Sequence, residues 1–179
     1  KSFVPDIVGH YSNLYSYKMI KGNTLSKVVD KPLFEEFMEF SKVFWKEATL
    51  SEPEALLFKK KCSQFYYDKT LNRIEKFFNR FGIKDEQEII NGVRVPAIYK
   101  LMEEIDWNYL CEGSPVRYHG DYHFENILVS EDGNFILLDW RQDFAGLLEY
   151  GDIYYDLAKL LHGLIVNHEL VNKNCFELY

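Results

Sequence analysis

From Leu33 to Ala48 the apolar residues return every three or four positions: Leu33, Phe34, Phe37, Met38, Phe44, Trp45 and Ala48, with Ser41 in the same stripe. That period predicts a helix with one buried face. Asp30-Lys31-Pro32 just ahead of it is a start signature, a capping side chain followed by proline at the helix entry. Ser51-Glu52-Pro53-Glu54 opens a second helix as a capping box, in which Ser and Glu three apart satisfy orphan amides reciprocally. Its stripe of Phe58, Cys62, Phe65, Leu71, Ile74, Phe78 and Phe81 predicts one helix running to Gly82. Ile98, Leu101, Met102, Ile105 and Tyr109 predict a third, from Pro96 to just before Gly113. Ile153 to His168 predicts a last one with Leu157, Leu160, Leu161, Leu164 and Ile165 inward. Two stretches follow other rhythms. Tyr11 to Ile20 alternates Tyr15, Tyr17 and Met19 with polar neighbours, reading as a strand that ends at Lys21-Gly22-Asn23. Ile127–Val129 and Phe135–Leu138 are short apolar runs around Ser130-Glu131-Asp132-Gly133-Asn134, a buried hairpin with an Asp-Gly turn.

The chemistry gathers at that hairpin. With Asp132 and Gly133 as a two-residue turn, Glu131 pairs with Asn134, and the same register sets Asn126 opposite Asp139 at the open end. Their Cα atoms are then expected about 4.5–5.5 Å apart. An amide oxygen beside a carboxylate is a hard-oxygen pair that suits Mg²⁺ rather than zinc. Asp121, five residues before Asn126, brings a second carboxylate to the same end. Asp and Asn are depleted in strands; turn and cap chemistry accounts for one of them at a strand end, but three oxygen-bearing residues at matched spacing point to a site.

Charge excludes some functions. The 21 Lys+Arg against 28 Asp+Glu leave a net charge of −7, so a binder of nucleic acid or of an anionic membrane is not expected. Cys62, Cys111 and Cys175 are an odd number with no C-x-x-C pair, which fits a reducing, cytoplasmic setting and neither a disulfide framework nor a zinc ribbon. No apolar run reaches membrane-spanning length. The opening Lys1-Ser2-Phe3 lacks Met and begins abruptly, as a piece of a longer protein would.

The string His119-Gly120-Asp121-Tyr122-His123-Phe124-Glu125-Asn126, then the hairpin, then Leu138-Asp139-Trp140 resembles the catalytic loop and metal-binding aspartate of the aminoglycoside phosphotransferase and choline kinase family. Protein kinases share the order H-x-D-x-x-x-x-N. Downstream, Gly151-Asp152-Ile153-Tyr154-Tyr155-Asp156-Leu157-Ala158-Lys159-Leu160 resembles the helix that follows in that family, and Tyr17-Lys18-Met19-Ile20-Lys21-Gly22-Asn23-Thr24-Leu25 resembles its hinge. The resemblance implies an α+β, predominantly helical fold, the C-terminal lobe of a protein-kinase-like fold with a catalytic β-hairpin. Residues 1–22 would be the end of an N-lobe strand and the hinge, and residues 23–179 the helical C-lobe. It implies ATP and Mg²⁺ as cofactors and a small-molecule hydroxyl acceptor: a sugar, amino alcohol or aminoglycoside. Asp121 would take the proton of the acceptor hydroxyl or orient it. Asn126 and Asp139 would hold the Mg²⁺ ions, and His119 would fix the loop as a scaffold residue. His123 matches many members without an assigned role. The adenine would rest on backbone of Lys18 and Ile20, with Tyr17 at the back of the pocket.

Several residues depart from the pattern or stand outside it. The family's nucleotide-covering loop and phosphate-binding lysine belong to a lobe before the hinge, and no G-x-G-x-x-G or Walker A spacing occurs here. The chain is therefore expected to be a C-terminal lobe whose N-terminal nucleotide-binding lobe is missing, inactive in isolation. Arg141 stands where many antibiotic kinases carry an acidic residue. With Asp143, the run Asp139–Gly146 resembles a bacterial branch associated with surface-polysaccharide loci. Asp152 reads as the N-cap of the last helix. Asp156, one turn on, is open between a bond to the catalytic loop and a capping or solvated role. Trp107, Tyr109, Tyr150 and Tyr154 are core aromatics or the wall of an acceptor pocket. Two other functions fit parts of the sequence: a nucleotide-binding module without turnover, and a metal-dependent phosphohydrolase using His119-x-Asp121-x-His123 as ligands.

Overall fold

The computed structural model describes residues 3–166 and 168–175, without the side chains of residues 168 and 169. It divides into two units, one formed by residues 1–49 and 114–179 and the other by residues 50–113. The described residues are 46% helix and 19% strand, a mixed α+β chain in which helix has the larger share. No helix among them is long and apolar enough to cross a membrane.

The first unit begins with two short strands, β1 (Ile7–Tyr11) and β2 (Leu14–Tyr17), paired antiparallel. The long strand expected over Tyr11–Ile20 is thus only the second arm of a hairpin. Gly22–Thr24, expected as its stop, is itself a strand, β3. After a single turn, α1 (Leu25–Val28), comes α2 (Lys31–Phe44), where the Asp30 carboxylate accepts the Leu33 amide at 2.9 Å. Its stripe behaves as the period predicts: Phe37, Ser41 and Phe44 are buried. Around them lies an aromatic cluster. Phe37 and Phe44 stack on Tyr122 with centroids 5.4 and 5.7 Å away, and Phe135 meets Phe37 edge-on. The Tyr122 hydroxyl shares a 2.7 Å hydrogen bond with Ser41, whose own hydroxyl donates to the Phe37 carbonyl.

β7 (Ile127–Ser130) and β8 (Phe135–Leu137) form the expected hairpin, with β3 added on the far side of β7. The register differs by one residue from the expected one. Ile127 faces Leu137 and Val129 faces Phe135. The loop holds three residues, Glu131-Asp132-Gly133, closed by Ser130 N–H to the Asn134 carbonyl and Gly133 N–H to the Ser130 carbonyl, each at 2.9 Å. A two-residue type I′ turn needs positive φ at both central positions. Only Gly133 has it, at 73°, so the chain takes the three-residue turn with a left-handed glycine at its end. Asn126 therefore lies opposite Leu138, whose N–H donates to its carbonyl at 2.8 Å, and not opposite Asp139.

α7 (Ile153–Ile165) closes the unit, ending short of the expected His168; α8 (His168–Asn172) follows, and residue 167 lies outside the described residues. Of the expected inward leucines only Leu160 is buried, while Leu161, Leu164 and Ile165 are exposed; the face turned inward carries Asp156. β6 (Pro115–Val116) and β9 (Gly151–Asp152) pair just before α7.

In the second unit, α3 (Glu52–Ser63) starts where the Glu54 carboxylate accepts the Ser51 amide at 2.7 Å. The single helix expected to Gly82 is interrupted by a π-helical turn over Gln64–Asp68 before α4 (Lys69–Phe81), and Gly82 in the left-handed conformation ends it. Phe58, Cys62 and Phe65 are buried, but nothing in α4 is. A hairpin that the apolar period did not suggest follows, β4 (Glu88–Ile90) and β5 (Val93–Val95), around Asn91 and Gly92, both at positive φ. The Asn-Gly pair between apolar runs is its signal. The helix expected from Pro96 to Gly113 is two pieces, α5 (Ile98–Glu104) and α6 (Trp107–Leu110), because Ile105 is extended and the Asp106 carboxylate caps a new start at the Tyr109 amide.

Phe37 has no exposed surface and lies against five other rings. Phe37→Ala is therefore expected to lower the unfolding free energy by about 3–5 kcal/mol, measured by urea denaturation followed by circular dichroism.

Candidate active site

The loop from Tyr118 to Asn126 has its middle residue, Tyr122, fully buried in the aromatic cluster, which fixes Asp121 and His123 on either side. Gly120 is what lets the loop turn there. Its φ is 83°, and a Cβ would sit 2.4 Å from the Arg141 Cβ. The loop backbone is held from α7. Asp156, fully buried, accepts the His119 amide at 2.8 Å and the Trp45 indole N–H at 3.0 Å on one oxygen, and the Gly120 amide at 2.7 Å on the other. Of the roles open to Asp156, the bond to the loop is the one observed. Burial pushes its carboxyl up to about 6, against the opposing pull of those donors. Asp152 caps α7 as expected and also accepts the Ser114 amide at 2.8 Å.

His119 is a neutral strut. The Asp121 amide donates to its Nδ1 at 3.1 Å, so Nε2 carries the proton and donates to the Leu138 carbonyl at 2.7 Å. Burial holds its pKa down at about 4. Both ring nitrogens are thus committed to backbone, and His119-x-Asp121-x-His123 is not gathered into a metal-ligand set. His10 and His162 are exposed elsewhere, and the side chain of His168 lies outside the described residues.

Asp121 is gripped on both oxygens. Oδ1 accepts the Lys159 ammonium at 2.8 Å, while Oδ2 accepts the Asn126 amide at 3.0 Å and faces His123 Nε2 at 3.2 Å. Behind it, His123 Nδ1 faces Glu125 at 2.8 Å. Burial pushes the Asp121 carboxyl up, but the hydrogen bond and charge of Lys159, with His123 adding to them, outweigh it and hold the pKa below its ordinary value. The carboxylate is ionised at neutral pH.

Asp139 reaches the same cavity by a different route from the expected one. In a regular strand the residue after Leu138 would face away from Asn126, since a shift of one residue changes face. Asp139 breaks the alternation with a φ of 56°, a left-handed conformation uncommon outside glycine. With Asp121, Trp140, Arg141, Gln142, Asp143 and Lys159 it lines a cavity of about 500 Å³. Its aromatic wall is Trp140; Tyr150 and Tyr154 of the same unit do not line it.

Two of the three residues expected at a hinge, Lys18 and Ile20, lie at another cleft of the same unit, about 720 Å³, lined also by Phe3–Asp6, Phe40 and the hairpin tip. The Lys18 amide already donates to the Asp6 carbonyl at 3.1 Å. Tyr17 does not line this cleft; its ring lies beside that of Tyr15.

The family model for the phosphotransferase enzyme family (APH) matches residues 58–172, more than half of the chain. The chain belongs to this phosphotransferase family. Membership implies a protein-kinase-like fold and bears out the resemblance carried by the loop and hairpin motifs. No curated protein and no solved structure matched the chain. In this phosphotransferase, Asp121, Asn126, His119 and His123 form one hydrogen-bonded cluster and Asp139 shares the cavity wall with Asp121, whereas Tyr17, Lys18 and Ile20 lie apart from them. Sequence reasoning missed Lys159. Its signal was the spacing Asp156–Lys159, one helical turn, which sets both on one face of α7.

Asp156 yields a prediction whose sign follows from its pKa. A carboxyl titrating near 6 when folded and near 3.8 when unfolded binds more protons in the native state between those values. Its contribution to stability is present below the lower value and is lost as pH rises through the upper one. Asp156→Asn removes this pH dependence, so the deficit of the variant against the wild type is expected to shrink as pH rises across that window, as read by urea unfolding. The same variant leaves one of the loop amides without its acceptor. Faster hydrogen exchange at His119 and Gly120 is expected, with a loss of about 1–3 kcal/mol at the acid end.

Proposed function

We propose that this phosphotransferase moves the γ-phosphoryl group of ATP, with Mg²⁺, onto a hydroxyl of a small molecule. The reading is carried by one observation: an ionised Asp121, fixed on both oxygens, shares a cavity with the Asp139 carboxylate. An ionised carboxylate has roughly four lone-pair sites, so Oδ1 keeps one for an acceptor hydroxyl while Lys159 holds the other. Asp121 orients that hydroxyl and takes its proton as the oxygen attacks.

The donor set fits a hard cation. All of Asn126's side-chain hydrogen bonds run through Nδ2, to the Asp121 carbonyl, the Asp121 carboxylate and His123, which leaves its amide oxygen for a ligand. Asp139 supplies an exposed carboxylate. Oxygen donors of this kind suit Mg²⁺. Bound Mg²⁺–ATP supplies the phosphoryl group and offsets its charge. His119 and Asp156 do no chemistry in this scheme; they keep the loop in place, so that positioning, the main contribution a protein makes to phosphoryl transfer, is built in before substrate arrives. In the hinge cleft, Ile20 and the Lys18 carbonyl are the groups proposed to meet the adenine, because the Lys18 amide is already bonded. The proposed acceptor is a sugar, amino alcohol or aminoglycoside, met in the cytoplasm. The C-terminal-lobe reading of residues 23–179, with residues 1–22 as strand end and hinge, belongs to the same proposal.

The test is mass-spectrometric detection of phosphate gain across a panel of sugars, amino alcohols and aminoglycosides with ATP and Mg²⁺, using the full-length protein that carries the N-terminal nucleotide-binding lobe. Transfer is expected to one acceptor class, and Asp121→Asn is expected to lower kcat by about 10²–10⁴-fold, the usual worth of a general base. Turnover that survives Asp121→Asn unchanged would remove Asp121 from the mechanism. Asp139→Ala is expected to abolish the Mg²⁺ dependence of ATP binding, read by calorimetry at varied Mg²⁺. Equal ATP affinity with and without Mg²⁺ in the wild type would contradict the metal assignment.

A further inference from the structure

α7 meets the catalytic loop with two charges of opposite sign. Asp156 holds the loop backbone, and one turn later the Lys159 ammonium reaches Asp121 Oδ1 at 2.8 Å. Both side chains of that pair are about one-third exposed, at 36% for Lys159 and 33% for Asp121, so the contact sits at the cavity surface and not in the core. An ammonium has three donors. One is on Asp121, and the Tyr155 ring lies 5.9 Å from the nitrogen, at the outer limit of a cation–π contact.

The cavity wall carries three carboxylates, Asp121, Asp139 and Asp143, against two cations, Lys159 and Arg141. A phosphoryl group passing to a hydroxyl held at Asp121 brings further negative charge into that space. Lys159 is bonded to Asp121, and it stands on a helix whose start is capped by buried Asp152. Its flexible stem lets the ammonium move over a short distance without disturbing the loop.

We propose that Lys159 is a phosphoryl-binding residue of this site: its ammonium bonds Asp121 in the resting protein and donates to the oxygens of the transferred phosphoryl group when that group arrives beside Asp121. The proposal rests on the phosphotransferase reading above. During transfer the bond from the γ-phosphorus to the nucleotide oxygen breaks and the bond to the acceptor oxygen forms. The acceptor's proton goes to Asp121. Lys159 keeps all its protons and contributes hydrogen bonds and charge only.

The experiment compares ATP with ADP, which lacks the group in question. Equilibrium affinities of the full-length wild-type protein, Lys159→Met and Lys159→Arg, each with the N-terminal nucleotide-binding lobe present, are measured by calorimetry with Mg²⁺, beside kcat on the acceptor class found by the panel. Loss of a charge-assisted hydrogen bond is expected to weaken ATP binding about tenfold or more in Lys159→Met, with ADP affinity changed less than about twofold. Lys159→Arg is expected to keep most of the preference for ATP. Methionine at 159 leaving the ATP-to-ADP ratio and kcat unchanged would overturn the proposal, as would an equal fall in both affinities, which marks a merely structural role. A wild-type protein that binds neither nucleotide would overturn the phosphotransferase reading and this proposal with it. One that transfers phosphate while Lys159→Met retains the ratio would overturn this proposal alone.

Discussion

A carboxylate with no exposed surface is costly unless its lone pairs are met, and Asp156 meets that condition only where α7, the end of α2 and the loop at His119-Gly120 come together. Its two oxygens accept from Trp45, His119 and Gly120. Moving α2 or the loop away would cost the buried carboxyl at least one of its donors, while burial already pulls its pKa upward against them. The loop from Tyr118 to Asn126 has little regular structure of its own, only a short 3₁₀ turn at Phe124–Asn126. Its shape is dictated by this acceptor from one side and by the His119 ring, bonded to the Leu138 carbonyl, from the other.

The aromatic core does the complementary work. Tyr122 sits between Asp121 and His123, yet its ring is stacked among Phe37, Phe44 and Trp45. A loop placed by buried side chains and backbone acceptors is held more tightly than one tethered at its ends alone, and small errors of position are expensive in group transfer. Core stability and site geometry are therefore one property of this unit: the Ser41–Tyr122 hydrogen bond and the Asp121 cluster are consecutive links along the same few residues.

Asp121, Asp139 and the hairpin show how the same site can be reached by a different backbone path. The alternation of strand residues put Asn126 opposite Asp139 only if the turn had two residues. Glu131-Asp132-Gly133 makes a three-residue turn because Asp132 does not adopt positive φ, and the register moves by one. The left-handed backbone at Asp139 offsets that shift locally. A residue held at φ of 56° without glycine's freedom is a strained choice, and here it returns a carboxylate to the cavity that the regular strand would have turned away.

Much was legible in the sequence because it depends on neighbours along the chain. The 3.6-residue stripe and Asp30 cap defined α2, the Ser51–Glu54 pair marked the start of α3, and Gly82 marked the end of α4. The H-x-D-x-x-x-x-N spacing and the following Leu138-Asp139-Trp140 pointed to the family and to His119, Asp121, His123 and Asn126, which the fold gathers into one hydrogen-bonded cluster, but not to Lys159. The end of α7 faces outward where its leucines were expected inward, since apolar period says which residues share a face and not whether anything covers it. The hairpin register and the Asp139 conformation lie in local backbone angles that the residue pattern did not announce, whereas the burial of Asp156 and the Lys159–Asp121 ion pair were decided by tertiary structure alone. Each joins residues distant in sequence, 38 positions apart for Lys159 and Asp121, and no local pattern encodes the energy of a contact that exists only once two elements have met.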